Sequence, residues 1–231
     1  MRSQETRLGL VAFFLAVSAF GLVISASLLN ISSPFPSEFD VRRPLIALVY
    51  GAVCVAGILA ALFPVACSRF LGILRSLTED KGSLETRATR VFSLLLLHGH
   101  HPPGSDEKNH ELWLGGKSYC ATCFGLLTGA VVSLTLIVAF ALSGWRDGGF
   151  AYALYFVGVM VVIMGLVPSL GFRVGARARF ALAAFFVLGT CLMLVATDVL
   201  TANLIADLFV VLLAVFWLLW RISLSHRREY R

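Results

Sequence analysis

Four histidines, His98, His100, His101 and His110, fall within thirteen residues, and Cys120-Ala121-Thr122-Cys123 follows ten residues after the last of them. Imidazole nitrogen and thiolate sulfur are the usual ligands of zinc, and a structural site takes four of them in a tetrahedron. Two cysteines three residues apart can serve one centre, either in a knuckle or on one helix face, where side chains at that spacing sit about 5–6 Å apart. Gly115-Gly116 supplies a turn before them, and Ser118 suits the N-cap of a following helix. Cys120 would then lie in the first helical turn, where unpaired amides and the helix dipole favour a thiolate. The pattern points to zinc or a similar divalent metal held by His100 or His101, His110, Cys120 and Cys123, with His98 as a spare or outer partner. Two other readings stay open: a thiol redox pair at Cys120 and Cys123, and a set of solvated side chains at a membrane face with no special role.

The elements that must position these residues are membrane helices. Of the 231 residues, 58% are hydrophobic and 14% charged, against roughly 45–50% and about 25% in a soluble globular chain. The apolar residues gather in runs near the length needed to cross roughly 30 Å of hydrocarbon, which is about 20 residues. With no water in the bilayer core to satisfy backbone amides, such runs must be helical. The expected fold is all-α: a single integral membrane domain over residues 1–231, with spans at about 8–29, 44–67, 120–142, 150–172, 180–200 and 204–220. The first run is longer than the 7–15 residues of a signal-peptide core. It is therefore taken as a retained span, although Ser25-Ala26-Ser27 leaves cleavage open. Pro168 is expected to kink the fourth span.

Residues 68–119 form the one long polar stretch. Within it Leu84 to His98 carries an apolar run far too short to span, which predicts an interfacial or re-entrant helix. With both termini inside, sixteen of the nineteen Lys and Arg residues share the cytoplasmic side, the exceptions being Arg42, Arg43 and Arg146. Cytoplasmic enrichment of cations is the usual orientation signal, so the predicted arrangement is N-in, C-in, with the polar loop inside the cell. Free thiols stay reduced there, which favours metal over a disulfide. Trp113, Trp145, Trp217 and Trp220 fall near the proposed interfaces, as an aromatic belt requires. The net charge of +6 follows this placement; no basic stripe interleaved with aromatics suggests nucleic acid. Cys54, Cys67 and Cys191 lie singly in apolar runs and read as small buried hydrophobes.

The run His100-His101-Pro102, then His110, then Cys120-Ala121-Thr122-Cys123 resembles an uncharacterised prokaryotic family of multi-pass membrane proteins. Its archaeal members carry a similar His-His-Pro … His … Cys-x-x-Cys pattern, and its bacterial members Cys-His-Gln-x-Pro-x-Arg-Ser followed by Cys-x-Arg-Cys. The resemblance covers about His98 to Gly129. This chain has Pro103-Gly104-Ser105 without the arginine, and Thr122 where the second arginine stands. The resemblance implies the site and a membrane setting, and names no activity.

The expected function is a cell-membrane, multi-pass protein with a His/Cys metal site on the cytoplasmic side, serving as an accessory or assembly component. The bilayer is its environment and other membrane proteins its partners. Two alternatives remain. A membrane-embedded metal- or thiol-dependent enzyme would need a general acid or base beside the metal, for which Asp106, Glu107 and Glu111 are available. A small transporter would use Asp198 and Asp207 in a polar path. Those two acids, with Thr197, Thr201 and Asn203, are otherwise expected to cap and solvate a tight hairpin at the outer interface. Arg173, Arg177 and Arg179 suit an anionic lipid head group or serve orientation alone.

Overall fold

The computed structural model describes residues 2–30, 41–62, 87–91, 94–98, 111–114, 117–143, 145, 147–167 and 174–229. Among the described residues six helices carry the fold: α1 (Arg2–Leu28), α2 (Arg42–Leu62), α3 (Ala121–Ser143), α4 (Gly148–Leu166), α5 (Ala176–Thr201) and α6 (Leu204–Glu229). All six are long and apolar enough to cross a membrane. The protein is thus a multi-pass, membrane-spanning helical bundle. Between α2 and α3 lie two antiparallel hairpins, β1 (Arg87–Val91) with β2 (Leu94–His98), and β3 (Glu111–Leu114) with β4 (Lys117–Cys120).

The interfacial helix expected over Leu84 to His98 is corrected by the first hairpin. Arg87 pairs with His98 and Val91 with Leu94, across residues 92–93. Four consecutive leucines, Leu94 to Leu97, have no helical period, and a short apolar run serves a strand as well as a helix. The preceding Arg87-Ala88-Thr89-Arg90-Val91 carries two β-branched residues, and these favour the pleated conformation.

Helix limits also differ from those expected. α2 begins at Arg42 and takes both arginines into its first turn, whereas α3 begins at Ala121. Ser118 and Cys120 therefore lie in β4 and not at a helix N-cap or in the first turn. Pro168, residues 168–173 and residues 63–67 fall outside the described residues.

α5 sits at the centre and is the most buried span. It runs antiparallel to α4 so closely that a Cβ on Gly158 would lie 2.9 Å from the Gly189 carbonyl oxygen, and one on Gly189 2.9 Å from that of Gly158. Only glycine allows this approach, the usual means by which membrane helices gain van der Waals contact without a hydrophobic drive. α3 approaches the opposite flank, where a Cβ on Gly129 would meet the Ala184 carbonyl at 2.6 Å. α2 joins through Tyr50, whose hydroxyl donates to the Val187 carbonyl at 3.0 Å and lies 2.8 Å from Thr190 Oγ1. Burying these hydroxyls in hydrocarbon without partners would be costly, so each bond also fixes helix rotation.

α1 packs against α6. Phe14 stacks on Trp220 with ring centroids 4.8 Å apart, and Trp217 Nε1 donates to Ser18 Oγ at 3.0 Å. Tyr155 of α4 donates to Ser25 Oγ at 2.8 Å. Trp217 is 1% exposed: its ring packs between α1 and α6 and its N–H is satisfied inside the bundle. Cys54 and Cys191 are buried as expected.

Candidate functional site

Alternation of the six helices puts the β-hairpins, the start of α3, the end of α4, the start of α5 and the far part of α6 at one end of the bundle. At this hairpin end, β4 leads directly into α3. Cys120 is the last strand residue and Cys123 the third residue of the helix. Both are half-buried. The hairpin register sets Glu111 opposite Cys120 and Leu112 opposite Tyr119. Paired antiparallel residues have Cα atoms about 4.5–5.5 Å apart, so the chain just after His110 is held beside Cys120.

Aromatic contacts secure the junction. Tyr119 lies 5.5 Å from Phe124, and Phe124 lies 5.4 Å from Phe180 of α5. Two arginines neighbour the thiols. Arg179 of α5 interacts electrostatically with Cys120, and its Nε donates to the Val174 carbonyl at 2.9 Å. Arg221 of α6 interacts with Cys123. It also donates through Nη1 to the Gly165 carbonyl at 3.2 Å and stacks 5.4 Å from the Phe186 ring centre. The Gly165 carbonyl is among the last of α4, where intrahelical partners run out and a cation is favoured.

Among the described residues, no three His, Cys, Asp or Glu side chains stand close enough to hold a metal ion. His100, His101 and His110 lie outside the described residues, as do Asp106 and Glu107; His98 ends β2. The structure therefore places the two cysteines of the expected ligand set and brings the neighbour of His110 to one of them.

The opposite end holds a cluster that no motif announced. Arg42 Nε stands 3.0 Å from Asp198 Oδ1 and 3.9 Å from Asp207 Oδ2. Arg43 Nε donates to Asp198 Oδ2 at 3.1 Å, and its Nη2 donates to the Trp145 carbonyl at 2.8 Å. The Arg43 guanidinium also lies 4.9 Å from the Phe140 ring centre. Asp198 is 1% exposed and Asp207 fully buried.

This corrects the expectation that the two acids cap and solvate the α5–α6 hairpin. Capping falls to their neighbours: the Ile205 N–H donates to Asn203 Oδ1 at 2.9 Å, and the Asn203 N–H to Thr201 Oγ1 at 3.2 Å. Ala202 takes the left-handed conformation at φ 48° to close the turn. The carboxylates turn inward because α2 delivers two guanidinium groups to them, and buried charges persist when paired. The available signal was arithmetic: two of the three cations predicted to lie outside, and both acids, belong to the same end of the molecule.

Comparison with protein-family models, curated proteins and solved structures finds no match for this chain.

Proposed function

We propose that this membrane-spanning protein holds a zinc-like ion at its hairpin end, through His100 or His101, His110, Cys120 and Cys123, and serves as an accessory or assembly component of the cell membrane. The observation that carries the proposal is the β3–β4 register, in which Glu111 faces Cys120. Consecutive Cα atoms are about 3.8 Å apart, so His110 is tethered within one residue of the position opposite a candidate ligand. Cys123 follows three residues later, as the third residue of α3, and a strand ending in cysteine before a helix with a second cysteine is a geometry that two ligands of one tetrahedral ion can use. Each thiol has an arginine neighbour, and such a cation offsets part of the charge a thiolate pair brings to a metal.

The proposed orientation is N-in and C-in, supported by the sixteen of nineteen cations that then lie inside. The motif's likeness to the uncharacterised multi-pass family supports the same site. The transporter alternative is weakened because Asp198 and Asp207, the acids it would use, are engaged by Arg42 and Arg43. The test is metal content by elemental analysis of protein purified without chelators. About one ion per chain is expected in the parent, with a loss in both Cys120→Ser and His110→Ala. Metal-free parent protein with both thiols freely alkylated overturns the proposal.

A further inference from the structure

The charge cluster bears on how the chain acquires its orientation. Lys and Arg at a span end hold that end inside, whereas Asp and Glu contribute little to the choice. Arg42 and Arg43 open α2 at the end predicted to face outward, and thus oppose the rest of the chain. In the folded bundle both are matched. Asp198 lies in the last turn of α5 and Asp207 in the first turn of α6, with Arg42 in reach of both and Arg43 on Asp198. Arg43 also holds the Trp145 carbonyl in the α3–α4 connection. Three connections, those before α2, between α3 and α4, and between α5 and α6, are therefore joined at one buried point.

We propose that the α5–α6 hairpin acts as an orientation lock for α2: its two carboxylates neutralise Arg42 and Arg43, so that the outward placement of residues 31–41 becomes stable only when the last two helices are in place. The carboxylates are too far along the chain to influence α2 as it first enters the membrane. They act by pairing afterwards, when their burial against α2 leaves the guanidinium groups no reason to return to the inner face. The inference rests on the orientation proposed above.

The experiment uses the full chain carrying Ser37→Cys, labelled in intact cells with a membrane-impermeant maleimide and quantified per molecule of membrane-integrated protein, the unsubstituted chain serving as blank. Outside labelling is expected in the parent, and its loss in Asp198→Asn/Asp207→Asn. Adding Arg42→Gln/Arg43→Gln to that variant is expected to restore labelling, because no cation is left to neutralise. Arg42→Gln/Arg43→Gln alone is expected to label as the parent does. The lock is overturned if the double asparagine variant labels fully, if removing the arginines fails to restore labelling, or if removing them alone abolishes it. A parent that labels at Ser37→Cys only after permeabilisation, with Ser83→Cys labelling from outside, overturns the orientation and the lock with it. Failure of the lock alone shows only in the variants.

Discussion

At one end of the bundle, Arg43 reaches Asp198 across a separation of 155 residues, and α2, α5, α6 and the Trp145 carbonyl meet in one buried cluster. At the other, Cys120 ends β4 and Cys123 stands in the helix that follows, while Glu111 of β3 pairs with Cys120. The first end is made by tertiary structure and holds helices to one another. The second is made by local chain geometry and needs the bundle mainly as a platform, through Phe124 against Phe180 and the arginines of α5 and α6. Remote charges that must be paired to survive burial hold a fold together, whereas the half-buried thiols of the hairpin end are placed chiefly by neighbouring stretches of chain.

If that contrast is right, damage at each end should be felt differently. The largest effect is expected at the hairpin end. Structural zinc is worth on the order of 10–16 kcal/mol in small peptides, so Cys120→Ser or His110→Ala should empty the site and make residues 68–119 sensitive to protease. Cys54→Ser and Cys191→Ser, buried in the bundle, should leave both metal content and cleavage unchanged. An oxidised pair would instead show Cys120 and Cys123 trapped together, with His110→Ala inert.

Next comes the charge cluster. Removing one partner of a buried ion pair costs about 3–5 kcal/mol, so Asp198→Ala, which strips both arginines of a carboxylate, should markedly lower the unfolding midpoint of the detergent-solubilised bundle. Metal content should stay at the parent value. A variant that loses metal while the midpoint holds would dissolve the distinction between the two ends.

Smaller effects calibrate it. Asn203→Ala removes the cap that receives the Ile205 amide and should cost about 1 kcal/mol, read as a modest fall in the same midpoint. Smaller still, Tyr155→Phe deletes the bond to Ser25. Interhelical hydrogen bonds in a membrane average about 0.6 kcal/mol, so its midpoint should fall only slightly. A loss as large as that of Asp198→Ala would mean that hydrogen bonds, and not the ion pairs, hold the helices.

The length and apolarity of its runs determined that this chain is a multi-pass helical membrane protein, with six helices among the described residues long and apolar enough to cross, because backbone groups in hydrocarbon must be satisfied within the helix. The cation count also set Arg42 and Arg43 apart from most other cations, and the His/Cys motif marked out the candidate ligands. Residues 87–98 were misread, since four leucines in a row fit a strand or a helix equally and only pairing with Thr89 and its neighbours selects the strand. The position of Trp217 along α6 was legible, but its hydrogen bond to Ser18 was not, because that partner lies on α1 at the other end of the chain. The partners of Arg42, Arg43, Asp198 and Asp207 were decided by tertiary structure alone, because a pair so remote in sequence leaves no periodicity or motif and exists only where packing about the glycines of α3, α4 and α5 brings its ends together.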